Sequence, residues 1–148
     1  MSTGRAWPVV VWAARLAIAG VFLAAALPKL VDPAGFADKL PNYRVFPDPL
    51  VNLIAVVVPP LELLSALALL TGRFYRGGVW LATLLMATFT ALIGAVLARG
   101  IDLDCGCFGA ISSAPTSGLD LARNVLLLGL AALLLVDLRR LPVVDTRR

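Results

Sequence analysis

The chain has no histidine and only two cysteines among its 148 residues. One subunit therefore cannot build the common four-ligand zinc site from Cys and His alone. Charge is scarce too: 15% of residues are Asp, Glu, Lys or Arg, against about 25% in an ordinary soluble domain. Hydrophobic residues make up 60% of the chain, and mean hydropathy is +0.92. A soluble protein this small could not hide so much apolar surface in one core. There is no room for a second domain, and no internal repeat or low-complexity segment. The formal charge of +4 does not point to nucleic acid. The basic residues stand at the ends of apolar runs, where lipid headgroups and membrane topology account for them.

What is present is four apolar runs, about 7–27, 50–70, 79–98 and 119–136. Each approaches or reaches the ~20 residues needed to cross a bilayer. None shows the alternation of a membrane barrel strand, so the runs are read as helices. The expected fold is an all-α integral membrane four-helix bundle, a single domain over residues 1–148. The first run is longer than a signal-peptide core and is interrupted by Arg15, so it reads as a span rather than a cleaved leader. After it, Asp32-Pro33 is a cap followed by a first-turn proline. Phe36, Leu40 and Tyr43 follow at helical spacing with polar residues between them. This predicts a short amphipathic helix on the outer membrane surface. Ser117-x-x-Asp120 resembles a capping box opening the fourth span. Ala13, Ala17, Gly20 and Ala24 form a small-residue stripe expected to let another helix approach the first.

Orientation follows from the basic residues of the short loops. With the N-terminus inside, the inner segments hold Arg5, Arg73, Arg76, Arg139, Arg140, Arg147 and Arg148. The outer segments hold Lys29, Lys39, Arg44 and Arg99. The excess puts both termini in the cytoplasm and the loop after the third span outside the cell membrane.

That loop reads DCGCFG, residues 104–109, and contains both cysteines, Cys105 and Cys107. Three uses are open: thiol–disulfide exchange, a structural disulfide and metal ligation. A bridge between the two needs a tight turn, which Gly106 eases. So small a ring restrains the unfolded chain little, and strained, exposed disulfides are the readily reduced ones. Exchange is therefore the favoured use. Metal binding would need Asp102, Asp104 or a second subunit to complete the ligand shell. Arg99, Arg123 and Lys29 favour a thiolate here, while Asp102 and Asp104 oppose it.

Ionisable residues within the spans are functional candidates by default. Arg15 is eight residues from Trp7, and Glu62 is eight residues from Leu70. At 1.5 Å per residue both lie roughly 12 Å from the inner face. This predicts an Arg15–Glu62 contact between antiparallel neighbours. A Glu62 without that partner is a candidate to handle protons or to hydrogen-bond a quinone headgroup. Pro59-Pro60 just before it is expected to kink the second span. Asp120, Arg123 and Asn124 share the first turns of the fourth span, either capping it or lining the cysteine loop.

Four stretches in this order resemble the DoxX-like membrane proteins, and among them the MauE-type branch. They are LPKLVDPAGF, PPLELLSALALLTG, DCGCFG and LARNVLLL. The resemblance implies a four-helix membrane bundle and a redox role for Cys105 and Cys107. Asp104, Gly106, Phe108 and Gly109 shape the motif around them. Lys29, Glu62, Arg123 and Asn124 join it as supporting residues. The MauE-type branch implies disulfide maturation beside a thioredoxin-like partner; the wider group implies quinol chemistry or membrane oxidoreductase complexes. A quinone-linked disulfide generator relays electrons between two cysteine pairs, and this chain has one. The expectation is thus a membrane thiol–disulfide oxidoreductase relay with a thioredoxin-fold partner and a quinone as electron acceptor. The alternative is a non-enzymatic scaffold subunit of a respiratory or stress-response oxidoreductase complex.

Overall fold

The computed structural model describes residues 3–43, 47–100 and 118–140. Helix α1 spans Thr3–Val31, α2 Pro33–Lys39, α3 Asp48–Thr71, α4 Tyr75–Ala98 and α5 Gly118–Arg140, with a 3-10 turn at Leu40–Tyr43. Four of these, α1, α3, α4 and α5, are long and apolar enough to cross a membrane. They pack in the cyclic order α1–α3–α4–α5, with α5 closing against α1. This is the expected all-α bundle. The apolar runs located the four spans, and the helices overrun several of those limits. Length without tertiary partners locates a helix better than its ends.

Core side chains come from one stripe of each helix. Ile18 and Phe22 of α1, Leu69 of α3, Val79 of α4 and Leu134 of α5 are buried together. The opposite stripes expose Leu16, Leu53, Val56, Leu64, Trp80, Leu84 and Leu126. Surfaces so apolar on a folded bundle belong against lipid. The small stripe of α1 is a correction. Ala13, Ala17, Gly20 and Ala24 all face outward, and a Cβ at Gly20 would meet nothing within 4 Å. The face turned to the bundle carries Ala14, Ala19, Ala25 and Ala26 instead. Alanine is common on both faces, so size alone does not choose between them.

Helices α3 and α4 approach closely at Gly78. A Cβ on Gly78 would lie 2.7 Å from Cβ of Ala68, so only glycine fits there without a shift. Ser65 Oγ on α3 donates to the Gly78 carbonyl at 3.3 Å across the same contact. The connection is tight because Gly72 ends α3 in the left-handed region, with φ of 71°, which glycine adopts without steric cost.

The short helix after the first span is present. Asp32 caps α2 through Gly35 N–H at 2.9 Å, and Pro33 supplies the pre-set first turn. Leu40 is buried against Val51 and Ala55 of α3, with Phe36 beside it. Its apolar side thus packs on the bundle.

Candidate functional site

One end of the bundle holds a charged pair where apolar residues would be expected. Lys29 lies in the last turn of α1. Helical side chains lean toward the N-terminus of their own helix, so Lys29 reaches back along α1 into the bundle. Its Nζ donates to Oε1 of Glu62 on α3 at 2.7 Å. Lys29 is 4% exposed and Glu62 0%. The ammonium also faces two aromatic rings, Phe36 of α2 at 5.0 Å and Phe89 of α4 at 5.2 Å. A cation enclosed this way gains from the ring faces as well as from its counter-ion.

Glu62 is only half used. Its second oxygen, Oε2, is buried without a hydrogen-bond partner among the described residues. Beside the pair is a cavity of about 20 Å³ lined by Val21, Phe22, Met86, Phe89 and Asn124, room for one water molecule. Asn124 enters from the first turns of α5. It is anchored there by its Nδ2, which donates to the Asp120 carbonyl at 3.0 Å. Arg123 meets Asp120 at 3.3 Å, partly exposed. The structure therefore brings Lys29, Glu62 and Asn124 around one cavity, with Arg123 one residue away on α5.

The expected Arg15–Glu62 contact is absent. Arg15 Nε donates to the Leu69 carbonyl at 2.8 Å, and Nη2 donates to the same oxygen. Its guanidinium lies over Trp12 at 4.1 Å and Tyr75 at 4.6 Å. The cause is side-chain direction. Equal Cα depth ignores that Arg15 leans toward the start of α1, to a carbonyl seven residues beyond Glu62 along α3, while Lys29 leans back along α1 to Glu62. Each cation takes the acceptor that lies N-terminal of it along α1.

The opposite end has a polar tie that sequence reasoning missed. Asp137 of α5, 8% exposed, accepts from Trp7 Nε1 at 2.9 Å and from Tyr75 Oη at 2.9 Å. Arg140 lies over the Trp7 ring at 4.0 Å. The only local signal was an acid ending the apolar run LLLVD.

Asp104, Cys105, Gly106, Cys107, Phe108 and Gly109 lie outside the described residues, as does Ser117 of the expected capping box. The flanking helices are described: α4 ends at Ala98 and α5 begins at Gly118. Both of those ends are at the Lys29–Glu62 end of the bundle.

A family model described as methylamine utilisation protein MauE matches residues 7–137. The chain belongs to the MauE family. The matched interval runs through all four spans, from Trp7 to its hydrogen-bond partner Asp137. The methylamine utilization protein MauE of Paracoccus denitrificans is 35% identical over 125 residues, 84% of this chain and 67% of that protein. MauE of Paracoccus versutus is 34% identical over 132 residues, 86% of this chain and 71% of that protein. No solved structure matches the chain. With four spanning helices and this membership, the molecule is a multi-pass membrane protein of the MauE family.

Proposed function

We propose that this MauE-family protein is a thiol–disulfide relay serving a methylamine-utilisation type of system. Its working pair is Cys105 and Cys107, on the extracytoplasmic side, with both termini in the cytoplasm. The family carries the first half of the reading, since the relatives are named for methylamine utilisation. The second half rests on one juxtaposition. A buried ion pair, with a carboxylate oxygen that has no partner among the described residues, lies at the bundle end from which the CGCFG-bearing segment leaves. Orientation is supported by the arginines Arg73, Arg76, Arg139 and Arg140 at the other end.

In the relay a thiolate of a thioredoxin-fold partner attacks one sulfur of the oxidised pair. A mixed disulfide forms and the other cysteine leaves as a thiolate. The partner's second thiolate then attacks its own sulfur in the mixed disulfide. The partner is now oxidised, and Cys105 and Cys107 have taken up its two electrons. A quinone is the proposed two-electron acceptor that restores the disulfide and leaves as quinol.

The test is the midpoint potential of the pair, read by thiol-alkylation mass shift across a glutathione series. A reversible transition between about −120 and −230 mV, the range of exchange catalysts, is expected. A pair oxidised to well below about −300 mV is a structural staple. Full function in Cys105→Ser/Cys107→Ser, with loss in Phe108→Ala, would make the protein a scaffold subunit.

A further inference from the structure

We propose that the cleft between the start of α4 and the end of α5 binds the phosphate of an anionic phospholipid headgroup. Arg76 and Arg139 line this cleft, a cavity of about 150 Å³, with Trp80, Leu135 and Leu138. No acidic side chain lines it. Asp137, the one acid in the last turns of α5, is turned away to Trp7 and Tyr75. Neither Arg76 nor Arg139 has an ion pair or hydrogen bond among the described residues. Two guanidinium groups with no counter-ion among the described residues are costly at a hydrocarbon boundary, and their forked N–H groups match phosphate oxygens.

The surroundings favour a lipid over a free anion. Trp80 is 64% exposed, and Leu84, one turn further along α4, is 65% exposed. They lead from the arginines along the lipid-facing side of α4, where acyl chains attached to the phosphate would lie. Tryptophan at this level suits the headgroup boundary. A choline headgroup brings a cation to the same arginines and is disfavoured by repulsion. The favoured class is phosphatidylglycerol-like: one phosphate, net negative, two acyl chains.

The experiment titrates delipidated protein in neutral detergent with phosphatidylglycerol, phosphatidylcholine or inorganic phosphate, reading adducts by native mass spectrometry. Phosphatidylglycerol should form a one-to-one adduct at lower concentration than phosphatidylcholine. Each arginine near a charged lipid surface contributes about a fivefold effect, so Arg76→Gln/Arg139→Gln should weaken the adduct about 30-fold. Both side chains are exposed, so the bundle should survive; if the double variant does not fold, Arg139→Gln alone should show the fivefold loss. Arg73→Gln removes a charge at the same end outside the cleft and should leave binding unchanged. Equal retention of both lipids, undiminished binding by the double variant, or equal losses in Arg73→Gln and Arg76→Gln would overturn the site. Displacement of phosphatidylglycerol by equimolar inorganic phosphate would overturn the lipid assignment and leave a bare anion site.

Discussion

Replacing Lys29 with methionine removes an ammonium while keeping an unbranched side chain that fills similar space. The lost interactions are a 2.7 Å ion pair and two ring contacts at 5.0 and 5.2 Å. What remains is Glu62, 0% exposed, with neither carboxylate oxygen hydrogen-bonded among the described residues. Removing one partner of a buried pair costs about 3–5 kcal/mol. Each ring contact adds about 0.5–1 kcal/mol, more when desolvated. Lys29→Met should therefore lose about 4–7 kcal/mol. Glu62→Leu leaves the buried ammonium only its rings, so about 3 kcal/mol is expected, the low end of the same range. The double variant Lys29→Met/Glu62→Leu removes both charges, and apolar replacement of a buried pair is often neutral or stabilising. It should lie within about 1–2 kcal/mol of the wild type, so that the two losses are grossly non-additive. Reversible unfolding in mixed detergent micelles, followed by fluorescence of Trp7, Trp12 and Trp80, measures all three. A Lys29→Met protein within about 1 kcal/mol of wild type refutes the reasoning, as does a double variant as unstable as the sum.

Arg15→Leu should lose about 2–3 kcal/mol with its charge-assisted bonds to the Leu69 carbonyl. It should add to Glu62→Gln within about 0.5 kcal/mol; stronger coupling in a double-mutant cycle would restore the Arg15–Glu62 contact. Asp137→Ala orphans the Trp7 and Tyr75 donors together and should cost about 2–3 kcal/mol in the same unfolding assay, against about 1 kcal/mol for Tyr75→Phe. Gly78→Ala should cost about 1–3 kcal/mol, because its Cβ meets Ala68 at 2.7 Å. Its neighbour Gly77, where a Cβ meets nothing within 4 Å, should gain up to about 1 kcal/mol on substitution by alanine. A Gly78→Ala protein as stable as Gly77→Ala would mean the α3–α4 approach is looser than described.

The spans were legible because each apolar run is long, and length with hydropathy needs no knowledge of neighbours. The start of α2 was legible for a different reason. Asp32, Pro33 and Gly35 act within a few residues of one another, so the cap is a local event. Partners across helices were not legible. The Trp7–Asp137 tie joins residues 130 positions apart, and an acid beside two arginines reads equally well as a headgroup-level ion pair. The bundle-facing side of α1 was missed because both of its sides carry small residues. Lys29 and Glu62 were each picked out, Glu62 by its place in an apolar run and both by the MauE resemblance, but not as partners. Their pairing depends on where side chains lean, and a residue count along the helix axis does not carry that information.

The same lean separates two roles for the Lys29–Glu62 pair. If it only fixes the register of α1 against α3, an apolar pair of equal volume does that work as well, and a folded Lys29→Met/Glu62→Leu protein keeps full thiol exchange. Yet a registry device has no use for a second carboxylate oxygen without a protein partner among the described residues, beside a water-sized cavity at 0% exposure. The bundle also has another tie between α1 and α3, from Arg15 to the Leu69 carbonyl. That oxygen of Glu62 is also placed at the end from which the cysteine-bearing segment leaves, not at the Asp137 end, where both carboxylate oxygens accept a hydrogen bond. A pair retained for chemistry rather than register therefore predicts a folded but inactive apolar double variant. Arg15→Leu, which alters a residue touching neither oxygen of Glu62, should lose stability and keep the proposed exchange in the molecules that fold.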